Sequence, residues 1–274
     1  DGYSVGDSVP FTIKTAIPSY PADSKDATFV ITDTPTKGLE IEPASIKING
    51  APAQSGADYT ITAAATGYTI TFSKDYVLSR YGMLIEVSYT AKVTSDAFSK
   101  AGSVTGNTAK VTFNPNPYTE GTAEPSDTTE VQTYGFVFKK VDGSNNPLPG
   151  AVFELTLANG QKLTSTSDAN GYVYFEDLAA GKYKVSETTV PAGYQKAPDQ
   201  EFELSAAVCT GDNPATPDAE NNYLVSTTDV VDPSQAALPA AGGPGTLVIT
   251  AAGVILLAVG GFVLVRTQGK KSAE

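Results

Sequence analysis

The chain has 274 residues, a formal net charge of −12, no histidine, no tryptophan and a single cysteine. Without histidine, Ser-His-Asp and Cys-His catalysis are excluded and the commonest metal ligand is missing. The charge has the wrong sign for neutralising nucleic-acid phosphates, and one cysteine forms no intrachain disulfide, so an extracellular chain needs another kind of staple.

A first β-rich block runs from about Val5 to Pro117, with Gly and Pro punctuating it every few residues. Its apolar residues alternate with period two, the signature of half-buried strands. Val9, Phe11 and Ile13 share one face, as do Phe29, Ile31 and Asp33; Tyr68, Ile70 and Phe72; Ile85, Val87 and Tyr89; and Asn107, Ala109, Val111 and Phe113. Short strands between turn signals predict a sandwich. Asp33 and Asn107 are misfits, polar residues on inward stripes. Residues 118–133 (YTEGTAEPSDTTEVQT) are polar and acidic without apolar periodicity and read as a linker.

The second block, residues 134–232, repeats the pattern. Phe136, Phe138 and Lys140 share a parity, as do Tyr183, Val185 and Glu187, and Val230 with Asp232. Three ionisable groups on core-facing stripes would each cost several kcal/mol if buried unpaired. That penalty largely disappears if they meet, and the charges of Lys140 and Asp232 vanish if they react. Cys209 lies in a polar, acidic stretch and reads as an incidental thiol. Asp212, Asp218 and Glu220 lack the oxygen spacing of an EF-hand loop, so no metal and no cofactor are expected.

A second flexible stretch, residues 233–245, leads to an uncharged run from Leu247 to Val265 followed by Arg266, Lys270 and Lys271. The run is long enough for a transmembrane helix, placed at 246–265, and the basic tail at 266–274 predicts a cytoplasmic end with the rest outside.

Several of these segments carry a family resemblance. Leu238, Pro239, Ala240, Ala241 and Gly242, followed by the span and basic tail, resemble the LPXTG cell-wall sorting signal of Gram-positive surface proteins, with Ala241 where that family has Thr. Phe138 to Leu155 and the run Tyr183 to Tyr194 (YKVSETTVPAGY) resemble the opening strand and E-box of CnaB-type domains. Ser4 to Tyr20, Phe29 to Ile41 and Gly106 to Tyr118 resemble the fimbrial isopeptide D2-type domain. Together they resemble a sortase-assembled pilin: all-β, two tandem Ig-like sandwiches (D2-type at 1–117, CnaB-type at 134–232), then a transmembrane sorting helix.

The resemblance implies site residues. In the second block Lys140 is the nucleophile, Asp232 its isopeptide partner in place of the usual Asn, and Glu187 the proton shuttle. In the first, Asn107 is the isopeptide partner and Asp33 the promoting acid. The family's lysine lies on a strand upstream of the Val-Gly-Asp segment, so the sequence reads as a fragment without it. Lys14 is the nearby substitute, of opposite parity to Phe11 and Ile13, and Asn114 and Asn116 are rivals to Asn107. The implied partners are a sortase, neighbouring pilin subunits, peptidoglycan and, before processing, the membrane; the host ligand is unknown and no nucleic acid is expected. The implied role is structural and not enzymatic: a subunit of a cell-wall-anchored adhesive pilus. The alternative is a monomeric wall-anchored adhesin stalk whose ligand-binding domain lies upstream.

Overall fold

The computed structural model describes residues 2–97, 105–215 and 222–235. The sorting-motif residues Leu238 to Gly242 and the span at 246–265 lie outside them. Among the described residues no helix is long and apolar enough to cross a membrane.

The first half of the chain forms β1 (Ser8–Ala16), β2 (Phe29–Pro35), β3 (Leu39–Ile41), β4 (Lys47–Ile48), β5 (Ala51–Pro52), β6 (Tyr59–Ala64), β7 (Gly67–Phe72), β8 (Leu84–Val93), β9 (Thr105–Phe113) and β10 (Ser126–Val131). A short helix, α1 (Lys74–Ser79), follows β7 and is capped by the Ser73 hydroxyl, which accepts from the Tyr76 N–H. One sheet has the order β1-β8-β4-β5 with β3 also on β8; the facing sheet has the order β10-β9-β2-β7-β6. The predicted inward residues meet between them: Phe29, Ile31, Ile70, Val87 and Tyr89 are all buried in one core.

The second half forms β11 (Tyr134–Asp142), β12 (Val152–Thr156), β13 (Lys162–Thr166), β14 (Tyr172–Leu178), β15 (Gly181–Thr189), β16 (Gln200–Leu204), β17 (Tyr223–Val225) and β18 (Val230–Asp232). β14, β11 and β17 make one sheet, with β18 also paired to β11; β13-β12-β15-β16 make the other. A second core fills this sandwich around Phe138, Phe153, Val173 and Val185. β17 and β18 both run parallel to β11, which puts the last strand beside the first. The described residues are mostly β, in stacked sheets.

Two features differ from the sequence reading. The segment at 118–133 is not wholly a linker, because β10 pairs along β9 within it. Its side chains are exposed at every position but Val131, so no apolar alternation marks it. Cys209, despite its polar, acidic stretch of sequence, is buried in the second core, and burial pushes its thiol up.

Candidate functional site

The pairing of β11 with β18 sets Lys140 opposite Val230 and Asp142 opposite Asp232. Lys140 and Asp232 therefore lie two positions apart on the same face, a diagonal that a lysine side chain spans. Its Nζ sits 2.5 Å from Asp232 Oδ1, both side chains are wholly shielded from solvent, and Nζ also donates to the Val230 carbonyl at 3.3 Å. Every other lysine in an ion pair among the described residues is at least a third exposed. A glycine fixes the backbone here. The Lys140 N–H donates to the Gly171 carbonyl, and Gly171 has φ +83° with no room for a Cβ, which would lie 2.3 Å from the Lys140 oxygen.

Glu187 enters from the facing sheet, where β15 pairs with β12 and places Glu187 opposite Phe153. Its Oε2 accepts from the Ala197 N–H at 2.9 Å. Burial pushes its carboxyl up to about 7; the Ala197 N–H and the Lys140 cation oppose that rise, and the Asp232 carboxyl adds to it. Glu187 Oε1 and Asp232 Oδ2 are both buried without a donor. A proton on Glu187 supplies the one donor both oxygens need, so a neutral acid beside an ion pair is the arrangement that satisfies the site.

The first sandwich holds a smaller cluster. β2 and β9 are neighbours, with Pro35 opposite Asn107 and Asp33 opposite Ala109. Asp33 Oδ2 accepts from the Asn107 Nδ2 at 2.8 Å and from the Tyr89 hydroxyl at 2.7 Å, and Asn107 Nδ2 also donates to the Tyr89 oxygen at 2.6 Å. Burial pushes the Asp33 carboxyl up from its ordinary value, against both hydrogen bonds. Asp33 Oδ1 and Asn107 Oδ1 are buried with no donor. Among the described residues no lysine reaches either. Lys14 instead pairs with Glu86 at 3.4 Å on the exposed face, as its parity predicts. Asn114 lies beyond the end of β9 and donates to Asp26 and to the Thr119 carbonyl, away from the pair.

Sequence reasoning missed three contributors. Period-two alternation marks Tyr89 only as a core residue, yet its hydroxyl joins the Asp33–Asn107 cluster. The Ala197 N–H comes from a loop with no periodicity to place it. Gly171 acts only through backbone proximity to a residue distant in sequence.

Comparison with known proteins gives this arrangement its context. Residues 135–214 match the model of the SpaA prealbumin-like fold domain. The chain is 27% identical over 221 residues to the trypsin-resistant surface T6 protein of Streptococcus pyogenes; the match takes in 70% of this chain and 40% of that protein. Among solved structures, the T6 backbone pilin of serotype M6 S. pyogenes aligns with a TM-score of 0.73 at 19% identity, covering 86% of this chain and 67% of that one. The full-length major pilin SpaD of Corynebacterium diphtheriae aligns with a TM-score of 0.63 at 21% identity, covering 86% and 63%. The fold is that of the Gram-positive backbone pilins. Within this pilin fold, Lys140, Glu187 and Asp232 come together from three strands that are remote in sequence. The chain spans less than half the length of the curated relative it matches.

Proposed function

We propose that the chain is a structural part of a surface pilus, stiffened by an amide that forms unaided between Lys140 and Asp232. The supporting observation is the 2.5 Å approach of Lys140 Nζ to Asp232 in full burial, next to a carboxyl that burial pushes up to about 7. The step balances without any cofactor. Nζ attacks Asp232 Cγ, one carboxylate oxygen leaves as water, and Glu187 passes the ammonium protons to that oxygen. Asp33 and Asn107 form a pair of the same class, an acid beside an acyl group, in the first sandwich.

The amide closes a loop of roughly ninety residues, which by analogy with a disulfide contributes ~4–5 kcal/mol. Its mechanical effect is greater: tension between the first and last strands falls on a covalent bond instead of strand hydrogen bonds. We further infer two successive modules, the first reaching Val131 and the second at 134–232, a membrane-held precursor through 246–265, and sortase transfer at Leu238 to Gly242 onto neighbouring subunits or peptidoglycan. Adhesion is the assembled fibre's role.

Intact mass measures the amide directly. The folded chain is expected about 18 Da lighter than its sequence, with Lys140 and Asp232 recovered in one cross-linked peptide, and Glu187→Ala at full mass. A folded wild type at full mass rejects the amide.

A further inference from the structure

The loop that joins β15 to β16 leaves its strand just past Glu187 and reaches across to the facing sheet, where β18 stops. β18 ends at Asp232 because Pro233 has no N–H to continue the ladder and offers only its carbonyl. That carbonyl accepts from the Gln195 N–H at 2.9 Å, and the Gln235 N–H donates to the Gly193 carbonyl at 2.8 Å. The two bonds close a short antiparallel bridge in which Tyr194 lies opposite Ser234. Gly193 has φ +88°, a left-handed turn that glycine adopts without strain.

A little further along, the same loop reaches the acid. Ala197 is buried, and its N–H donates to Glu187 Oε2 at 2.9 Å. Asp199 fastens the base of the loop back onto β15: its carboxylate pairs with Lys184 Nζ at 2.9 Å and accepts from the Ser186 hydroxyl, both on the stretch leading into Glu187. Glu187 and Asp232 thus come from opposite sheets, and one short run, Gly193 to Ala197, holds the backbone beside Asp232 at one end and the carboxyl of Glu187 at the other. The contacts are made through backbone N–H groups, so the side chains of Gln195 and Ala197 carry no sign of the role.

We propose that Gly193 to Ala197 and the exit segment Pro233 to Gln235 form a clip that brings Asp232 and Glu187 together, so that the Lys140–Asp232 amide forms only once the exit segment has docked. The inference rests on the amide chemistry proposed above, and it makes Gln195, Ala197 and Gln235 positioning residues for that reaction. It also ties bond formation to the part of the chain that continues toward Leu238. Anything that draws Pro233 to Gln235 off the loop before the amide exists delays the reaction; after it exists, the covalent bond holds Asp232 without the clip.

The test follows refolding of the full chain in mild detergent, starting from chain kept unjoined in denaturant, with the loss of about 18 Da read by mass against time. Gln235→Pro and Gln195→Pro each delete one N–H of the bridge. Each is expected to slow amide formation about fivefold, the worth of one backbone hydrogen bond, and the two together about thirtyfold. Gln235→Ala keeps the N–H and is expected to stay near the wild-type rate. Ala197→Pro removes the donor on Glu187, and Pro198 already favours an extended residue before it, so the ring is accommodated. Its readout is the pH profile. The Ala197 N–H holds the Glu187 carboxyl down against burial, so its loss should move the alkaline fall in rate to higher pH. Gln235→Pro should instead slow the reaction at every pH and leave that fall in place. Folding is read separately from Cys209, which is buried in the second core and closed to thiol reagents once that core has formed; a bridge variant that leaves it open is replaced by the other. Wild-type rates in folded bridge variants overturn the clip while the amide stands, and an unshifted profile in Ala197→Pro overturns its Glu187 end. A wild type that folds at full mass sinks the amide itself and the clip with it.

Discussion

On the proposed amide chemistry, Glu187 decides whether the buried ion pair becomes a bond. Because burial lifts its carboxyl from an ordinary value near 4.5 to about 7, the folded state holds the proton more tightly than the unfolded one. The sign follows: this group's contribution to stability is fully present below about pH 4.5 and is lost as pH rises through about 7. In the proposed reaction the same proton is the one delivered to the departing oxygen of Asp232. Amide formation should therefore be fastest in mildly acidic solution and slow by about tenfold per pH unit above 7. The check is refolding of chain kept unjoined in denaturant, at pH 5.5 to 8.5, with the loss of water followed by mass. A rate that is flat across this range removes Glu187 from the proton path.

At the scale of elements, β18 stands out because it is so short. Three residues, paired only to β11, carry Asp232 into the core. Its pairing with β11 and the backbone bonds of Pro233 and Gln235 to Gln195 and Gly193 just beyond it hold the strand, and the side-chain contact with Lys140 adds to them. Asp232→Ala is expected to leave Lys140 buried and uncompensated, at a cost of about 3–5 kcal/mol, and to expose the Val230 and Val231 amides to fast hydrogen exchange. Asp232→Asn keeps the acyl group and should regain protection, with a mass loss of about 17 Da, ammonia instead of water. If both variants protect β18 as wild type does, the link is not what holds the strand.

Strands like these also show what a sequence can reveal. Where one face is buried and the other wet, as in β2, β7 and β8, period-two alternation names the inward residues, and a charge on that stripe draws notice. Lys140, Glu187, Asp232, Asp33 and Asn107 were legible for that reason. β11 is buried on both faces over most of its length, so its parity came from Phe136 and Phe138 alone. β10 is wet on nearly every position and was invisible, since its strand state comes from pairing with β9. The remaining site members, the Ala197 N–H and the backbone approach of Gly171, depend on tertiary proximity that no local pattern encodes.

The two sandwiches pack into one compact unit spanning residues 1 to 235, and the residues before β1 make the junction. The Val5 N–H donates to the Asp177 carbonyl at 2.8 Å, and Val5 packs against the second core. The Ser4 hydroxyl accepts from the Ala179 N–H at 2.9 Å and lies 3.3 Å from the Tyr183 hydroxyl. Asn159 donates to Asp7 at 2.7 Å and to the Val5 carbonyl at 3.1 Å. On the other side Thr133 donates to the Ala97 carbonyl at 3.1 Å. If the chain serves in a load-bearing fibre as proposed, stiff modules contribute little when the joint between them bends, so these contacts would set how far stiffness extends along the chain. Removing the side chains of Ser4 and Asn159 together, each worth about 1 kcal/mol in hydrogen bonding, should weaken the junction by about 2 kcal/mol. That is roughly a thirtyfold increase in its open population. Hydrogen exchange at the Val5 and Ala179 amides should quicken by that factor and small-angle scattering should show a larger radius of gyration, while the Lys140–Asp232 mass loss stays unchanged. Unaltered exchange at both amides would mean that apolar packing of Val5, and not its polar neighbours, keeps the modules in line.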